Sequence, residues 1–351
     1  MFPETFVEKW VRRLVPKNDV VLDPFCGRGT APFQALLMGR RAIGCDVNPV
    51  AYCVTRAKTN APLASTVRKR LSALEKGYNP RLAAQEIAEL PEYFSYAFEQ
   101  RALAQLLFLR RELRWQTNNT DCMIAALVLG SLHGEADKSK AYFSNQMPRT
   151  ISPKPAYSIR FWKERNLTPP KREVFELLRD RVAFRYESEV PERTAEVYCS
   201  DMRRLPQLID EDTSIRYVIT SPPYFDITNF EEDQWLRLWF LGNNPAPTYC
   251  KISQDDRHSS PVRYWEMICD LWRTLGQILD RRAHVILRIG AKNQTPQQLS
   301  DCLLATSRFS GRKVRAAEGF EVSPIKGRQT DAFRPGSEGC LVEVDFHFLM
   351  A

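Results

Sequence analysis

Hydrophobic positions along this chain follow two periods, and the switch between them divides it. Near the amino terminus Phe6, Val7, Trp10, Val11 and Leu14 recur at helical spacing, predicting an amphipathic helix over Glu4 to Leu14. Val20-Val21-Leu22 and the run from Ala42 to Cys45 are short and continuously apolar, the pattern of strands buried on both faces. A helix-like stretch from Pro32 to Met38 lies between them. From about Ala61 to Val190 strand signals are scarce, and Phe94–Leu113 and Cys122–Leu132 are helical in period. Strand patterns return at Ala195–Cys199, Tyr217-Val218-Ile219 and His284–Ile289, with a long helix around Tyr264–Asp280. Gly319–Val322 and Leu341–Phe348 alternate, which predicts an antiparallel edge pair.

Strands separated by helices predict an α/β sheet. The expected organisation is one doubly wound domain from residues 1–60 and 191–351, interrupted by a mainly helical insertion over 61–190. Connections inside such sheets usually run to a few residues, so an insertion of this length is expected to carry function.

Two strand ends carry candidate chemistry. The first continues as Asp23-Pro24-Phe25-Cys26-Gly27-Arg28-Gly29-Thr30 and enters a helix. A strand passing through glycines into a helix makes room for a nucleotide-like ligand, because no side chain blocks approach to the backbone. Taken alone, the same glycines suit a plain structural turn. Some 20 residues further on, the second strand ends in Asp46, followed by Val47 and Asn48, at the place of a ribose-binding carboxylate. The other strand end reads Thr220-Ser221-Pro222-Pro223-Tyr224. Two adjacent prolines fix φ twice and remove two backbone donors, leaving a stiff turn with a hydroxyl before it and an aromatic ring after it. Such a turn suits gripping a flat base by edge and face.

Together the two motifs resemble those of the S-adenosylmethionine-dependent amino-methyltransferases of nucleic acids. The resemblance implies a Rossmann-like class I methyltransferase sheet and S-adenosyl-L-methionine as cofactor. It implies cofactor contacts from the loop residues Asp23, Pro24, Phe25, Cys26, Gly27, Gly29 and Thr30, and from Asp46, Val47, Asn48 and Ser221. Phe2-Pro3 and Thr5-Phe6 match the family's Phe-Pro and helix that close over the methionine end, and Asp201 and Met202 match its third cofactor strand. Ser221, Pro222, Pro223 and Tyr224 match its catalytic motif. The Ser221 hydroxyl and the Pro222 carbonyl are then acceptors for the target amine, Pro223 stiffens the turn, and Tyr224 stacks on the base with Phe225 beside it. An amine conjugated to a ring is a poor nucleophile, and acceptors that favour its pyramidal form, with in-line placement, are what transfer requires. A base inside a duplex must first be flipped out.

In that family a serine at the head of the turn accompanies cytosine-N4 transfer more often than adenine-N6 transfer. Here the cofactor loop precedes the catalytic motif, which departs from the usual cytosine-N4 order. The expectation is a DNA methyltransferase, cytosine-N4 first, of a prokaryotic modification or defence system, with a cognate nuclease or specificity subunit as a candidate partner. Adenine-N6 transfer to DNA, guanine-N2 transfer to RNA and a non-catalytic nucleic-acid-binding subunit are the alternatives. Cytosine-C5 chemistry would need a Pro-Cys nucleophile, and none of the nine cysteines follows a proline.

Charge adds a partner. The formal net charge is +8, and His133 to Arg172 holds nine Lys/Arg against three Asp/Glu, a net +6. Basic groups interleaved with aromatics suit phosphate contacts and base stacking, so Arg149, Lys154, Tyr157, Arg160 and Trp162 are the candidate nucleic-acid contacts. An ordinary solvated loop with packed aromatics is the plain alternative. The scattered cysteines and four histidines point to free thiols in a reducing cytoplasm, with no metal site. No apolar run approaches the roughly 20 residues that span a bilayer, so no membrane partner is expected.

Overall fold

The computed structural model describes residues 3–135, 139–147, 152, 154–188, 190–224, 230–248, 260–291, 294–317, 319–324 and 342–351. Phe2, Arg149 and Phe225 lie outside them. In chain order the elements are α1 (Glu4–Leu14), β1 (Val20–Asp23), α2 (Thr30–Leu37), β2 (Arg41–Asp46), α3 (Pro49–Thr59), α4 (Ala64–Gly77), α5 (Ala84–Glu89), α6 (Tyr93–Ala97), α7 (Gln100–Glu112), α8 (Asn119–Ser131), α9 (Pro155–Glu164) and α10 (Val174–Arg185). There follow β3 (Glu196–Cys199), α11 (Leu205–Leu208), β4 (Tyr217–Thr220), α12 (Phe230–Phe240), α13 (Pro261–Ile278), β5 (Ala283–Ala291), α14 (Pro296–Ser307), β6 (Val314–Ala316), β7 (Glu321–Pro324) and β8 (Val342–Met350). No helix among the described residues is long and apolar enough to cross a membrane.

The chain divides into two compact units: Met1–Asn60, Pro191–Asn229 and Ile252–Ala351 form one, Ala61–Val190 and Phe230–Lys251 the other.

The first unit is a Rossmann-like sheet of order β3-β2-β1-β4-β5-β8-β6, with β7 also paired to β8. β1 pairs parallel with β2 and β4, and β4 parallel with β5, while β8 runs antiparallel to β5, β6 and β7. The alternating tail segment β8 therefore lies inside the sheet rather than at its rim. β1 and β4 are buried along their whole length, as parallel strands covered on both faces are. On one face Leu22, Val218 and Leu287 pack with Leu271, Trp272 and Leu275 of α13. On the other, Val21, Ile219 and Ile286 pack with Phe6 and Trp10 of α1 and with Ala31 and Ala35 of α2. The sequence order of the strands reverses between β1 and β4, where ligands of doubly wound sheets bind.

The second unit is helical. Within it α12 presents Trp235 and Trp239, four residues apart, to Phe94 of α6, at ring-centroid distances of 6.1 and 4.6 Å. Arg110 Nε of α7 donates to the Trp239 carbonyl at 2.8 Å. The segment from Phe230 to Lys251, which sequence order would leave with the sheet, thus packs with the helices.

Candidate active site

Three neighbouring strand ends build the site, all in the sheet unit. β1 ends at Asp23 and the chain turns through Pro24–Gly29 into α2. Gly27 and Gly29 have φ of +51° and +77°, in the left-handed region that favours glycine. Their reasons for lacking a side chain differ. A Cβ on Gly29 would lie 2.7 Å from Thr55 Oγ1 and 3.1 Å from Thr55 Cα, so this glycine lets the loop close on α3 rather than on a ligand. A Cβ on Gly27 would meet only the Phe25 carbonyl, at 4.0 Å, so the space over that backbone is open to a ligand.

Asp46, at the end of β2, holds the loop from the side. Its Oδ2 accepts from the Gly27 N–H at 2.8 Å and its Oδ1 from the Asn48 N–H at 3.0 Å. Burial pushes its carboxyl up to about 6, against the lowering effect of those two hydrogen bonds. Each oxygen keeps a lone pair for a hydroxyl donor. Asn48 is buried, and its side chain caps α3 by accepting from the Val50 N–H at 2.8 Å, with Pro49 in the first turn. Val47, between them, is half-buried. Thr55 was not foreseen from sequence: its hydroxyl donates to the Gly27 carbonyl at 2.9 Å and braces the loop from α3. A threonine in the middle of a helix gives no sequence signal for such a contact.

Asp23 is fully buried. Its Oδ1 accepts from Thr220 Oγ1 at 2.6 Å and from the Phe25 N–H at 3.1 Å, while its Oδ2 has no hydrogen-bond partner. Burial pushes this carboxyl up to about 7. Burial likewise raises the Cys26 thiol well above its ordinary range, so Cys26 is no thiolate nucleophile.

The Ser221–Tyr224 turn follows β4 directly. Ser221 Oγ donates to the Arg288 carbonyl at 2.9 Å and lies 3.4 Å from the Tyr224 hydroxyl. Tyr224 donates to Glu343 Oε1 at 2.8 Å. Burial and the Glu343 charge hold its phenol well above the ordinary value. Pro222 is buried and Pro223 half-buried. Pro3 caps α1, and Pro3 and Thr5 are exposed while Phe6 is buried.

Asp201 is engaged within its own segment. It accepts from the Arg203 N–H and, through both oxygens, from the Arg203 guanidinium, each at 3.0 Å. Met202 is buried, with Thr274 Oγ1 3.5 Å from its sulfur.

The basic stretch of the helical unit is only partly surface. Trp162 is 1% exposed, stacks obliquely on Tyr93 at 5.7 Å and donates its indole N–H to the Gln146 carbonyl at 3.1 Å. Buried on both faces, it cannot stack on a base, which corrects the expectation from sequence. Tyr142, Phe143 and Met147 are buried with it. The second half of the stretch is the helix α9, not a loop. Tyr157 there is 58% exposed and stacks on Phe161 at 6.2 Å, with Arg160 and Arg165 lying over the two rings at 5.8 and 3.9 Å. Lys154 pairs with Glu232 at 3.3 Å.

Residues 1–55, which span α1, the glycine loop and Asp46, match the family model described as DNA methylase. The match covers 55 of the 351 residues, the part of the chain that carries the glycine loop and Asp46. No curated protein matches the chain. Among solved structures, two of the rRNA methyltransferase aviRa from Streptomyces viridochromogenes align over 99% of this chain and 85% of theirs, at 13% and 14% identity and a TM-score of 0.32. A likeness at that score supports no assignment of substrate. For the methyltransferase cofactor the residues present fit. The open backbone at Gly27 suits close approach, and Asp46 offers both oxygens to vicinal hydroxyls. The orphan Asp23 Oδ2 offers a buried acceptor.

Proposed function

We propose that the chain is an S-adenosylmethionine-dependent methyltransferase acting on the exocyclic amino group of a DNA base, cytosine N4 first among them, with Ser221 as the acceptor for that amine. The observation that carries the reading is the 2.9 Å hydrogen bond from Ser221 Oγ to the Arg288 carbonyl. A hydroxyl has one hydrogen, and here it is spent on main chain, so the oxygen faces the target with lone pairs only. The following prolines contribute carbonyls and no N–H groups. A hydroxyl with its hydrogen spent, followed by two prolines without N–H groups, favours an atom that bears N–H over a ring nitrogen or carbonyl oxygen.

Bound at Gly27, Asp46 and Asp23, S-adenosylmethionine would supply an electrophilic methyl group. The chain's own part is to hold the amine, favour its pyramidal form through Ser221 and the Pro222 carbonyl, and stiffen the turn with Pro223. Asp23 and Thr220 join the cofactor loop to this turn. Tyr157 and Phe161, each under an arginine, offer α9 as a surface for backbone and bases of the nucleic acid.

Nucleoside mass spectrometry of DNA and RNA from cells expressing the wild type or Ser221→Ala tests the reading. N4-methylcytosine in DNA, lost in the variant, is the expected result. N6-methyladenine would overturn the choice of base, and a modified nucleoside confined to RNA the choice of polymer. Ser221→Ala should slow transfer by roughly 10²-fold, as for loss of one preorganised polar contact.

A further inference from the structure

Arg288 holds both side chains of the Ser221–Tyr224 turn. Its carbonyl accepts from Ser221 Oγ at 2.9 Å. Its buried guanidinium is bidentate to Asp345, with Nε to Oδ1 at 2.6 Å and Nη2 to Oδ2 at 2.9 Å. The remaining arm, Nη1, donates to Glu343 Oε2 at 3.2 Å. The other oxygen of Glu343 accepts the Tyr224 hydroxyl at 2.8 Å. Phe6 of α1 lies under the guanidinium, 4.0 Å from ring centroid to Cζ. One cation and two carboxylates stand here in the protein interior, and the phenol O–H supplies a donor to the Glu343 oxygen to which Arg288 does not donate.

This arrangement exceeds what stacking requires. An aromatic ring that only covers a base needs no partner for its para position. A charge-assisted hydrogen bond to a residue fixed by its own ion pair removes the ring's freedom to swing about its Cα–Cβ bond. The register of β8 brings this about: Glu343 and Asp345 are two apart, on the same face of the strand, and β8 is paired with β5 so that Arg288 sits opposite Asp345.

We propose that Glu343 is a positioning residue for methyl transfer: by accepting the Tyr224 hydroxyl it fixes the plane on which the target base rests, and Arg288 fixes Glu343. The proposal rests on the reading of Ser221–Tyr224 as the catalytic turn. It makes a specific demand, that Glu343 act on turnover only through the Tyr224 hydroxyl.

The test uses the full chain with tritiated S-adenosylmethionine, and unmethylated genomic DNA and total RNA as acceptors. Calorimetry of S-adenosylmethionine binding controls for folding. Tyr224→Phe keeps the ring and removes only the hydroxyl. It and Glu343→Ala should each lower kcat roughly tenfold, the scale of one lost hydrogen bond to a charged group, with cofactor affinity unchanged. The double variant Tyr224→Phe/Glu343→Ala should be no slower than either single one. Glu343→Gln, which keeps an acceptor oxygen, should recover most of the rate. A purely structural role predicts instead that Glu343→Ala slows the Tyr224→Phe protein as much as the wild type, and that result overturns the proposal. Wild-type rates in both single variants, with Ser221→Ala slowed, overturn it while leaving the catalytic turn in place. A wild-type rate in Ser221→Ala removes the catalytic turn and the proposal together. Should Glu343→Ala fail to bind the cofactor, Tyr224→Phe decides alone, and an undiminished rate rejects the positioning role.

Discussion

The Thr220 hydroxyl donates to the Asp23 carboxylate at 2.6 Å across the seam between β1 and β4. These residues are 197 positions apart in sequence. Asp23 opens the glycine loop and Thr220 immediately precedes Ser221, so this buried hydrogen bond adds to the pairing of β1 with β4 in fixing the separation of the glycine loop and the Ser221–Tyr224 turn.

Burial of Asp23 has a signature in pH, against which the Thr220 bond works by lowering the value. The carboxyl of Asp23 is raised from 3.8 to about 7 by burial, so between those values the folded chain holds a proton that the unfolded chain has released. Stability from this group is therefore full below about 4 and declines as pH rises to about 7, by up to ~4 kcal/mol. Asp23→Asn should remove that slope. Urea denaturation of both proteins at pH 5 and pH 8 checks it: the difference between them should favour the variant at pH 8 and shrink at pH 5.

Asp46 should make cofactor binding pH-dependent in the opposite sense. In the proposed site, ribose hydroxyls would donate to the ionised Asp46 carboxylate, whose folded value burial raises to about 6. Affinity for S-adenosylmethionine should be constant above pH 7 and weaken as pH falls through 6. Asp46→Asn should bind less tightly at pH 8, by about 1–3 kcal/mol, and lose this dependence on the acid side. Calorimetry across pH 5 to 8 reads both.

The two loop glycines should fail differently. Gly29→Ala sets a Cβ against Thr55 in a left-handed backbone, so it should cost stability, about 1–3 kcal/mol, seen as a lower urea midpoint. The Cβ that Gly27→Val adds meets no protein atom closer than the Phe25 carbonyl. Its main effect should be loss of S-adenosylmethionine binding, with a smaller stability loss from its positive φ. Equal loss of stability with full cofactor affinity would show that Gly27 is merely a turn residue.

On the helical unit, exposed and buried aromatics should separate. Tyr157→Ala and Arg160→Ala should weaken nucleic-acid binding without altering the melt, and Arg160→Ala should lower the log–log salt slope by up to about 0.9. Trp162→Ala should instead destabilise the unit by about 3–5 kcal/mol. Fluorescence anisotropy over a salt series, beside thermal melts, distinguishes them. An unchanged slope in Arg160→Ala would make α9 an ordinary surface helix.

Much of the sheet unit was legible because its signals are local. The helix over Glu4–Leu14 and the strands at Val20, Ala42, Tyr217 and His284 show in the periodicity of a few residues each. What escaped detection depends on register. Alternation along β8 reads as a strand with one face in water, yet Asp345 and His347 on its polar side are only 3% and 6% exposed. Only the pairing of β8 with β5 reveals that this polar row is buried, with Arg288 opposite Asp345. Thr55 and Glu343 reach the site from a helix and a strand that carry no motif. In the helical unit, the prolines between Pro148 and Pro155 suggested a loop, but Pro155 begins α9, where a missing N–H costs nothing. Trp162 follows that helix's inward face, which composition alone does not reveal.

The place of β8 in the sheet also orders how the site is assembled. β1 and β2 leave the ribosome well before β4, with only each other to pair, and a parallel two-stranded ribbon does not hold on its own. Their neighbour β4 is made only after the helices from Ala64 to Arg185, and β8, which supplies Glu343 and Asp345, is made after β4 and β5. Through synthesis of the helical unit, α1 and α2 are there to cover one face of β1 and β2, but the face that α13 covers lacks its layer, and the long-range pairings that complete the sheet are slow to form. Arg288 has neither carboxylate partner until β8 is made, so the hydrogen-bonded support of the Ser221–Tyr224 turn depends on a strand whose Glu343 is synthesised 119 residues after Tyr224.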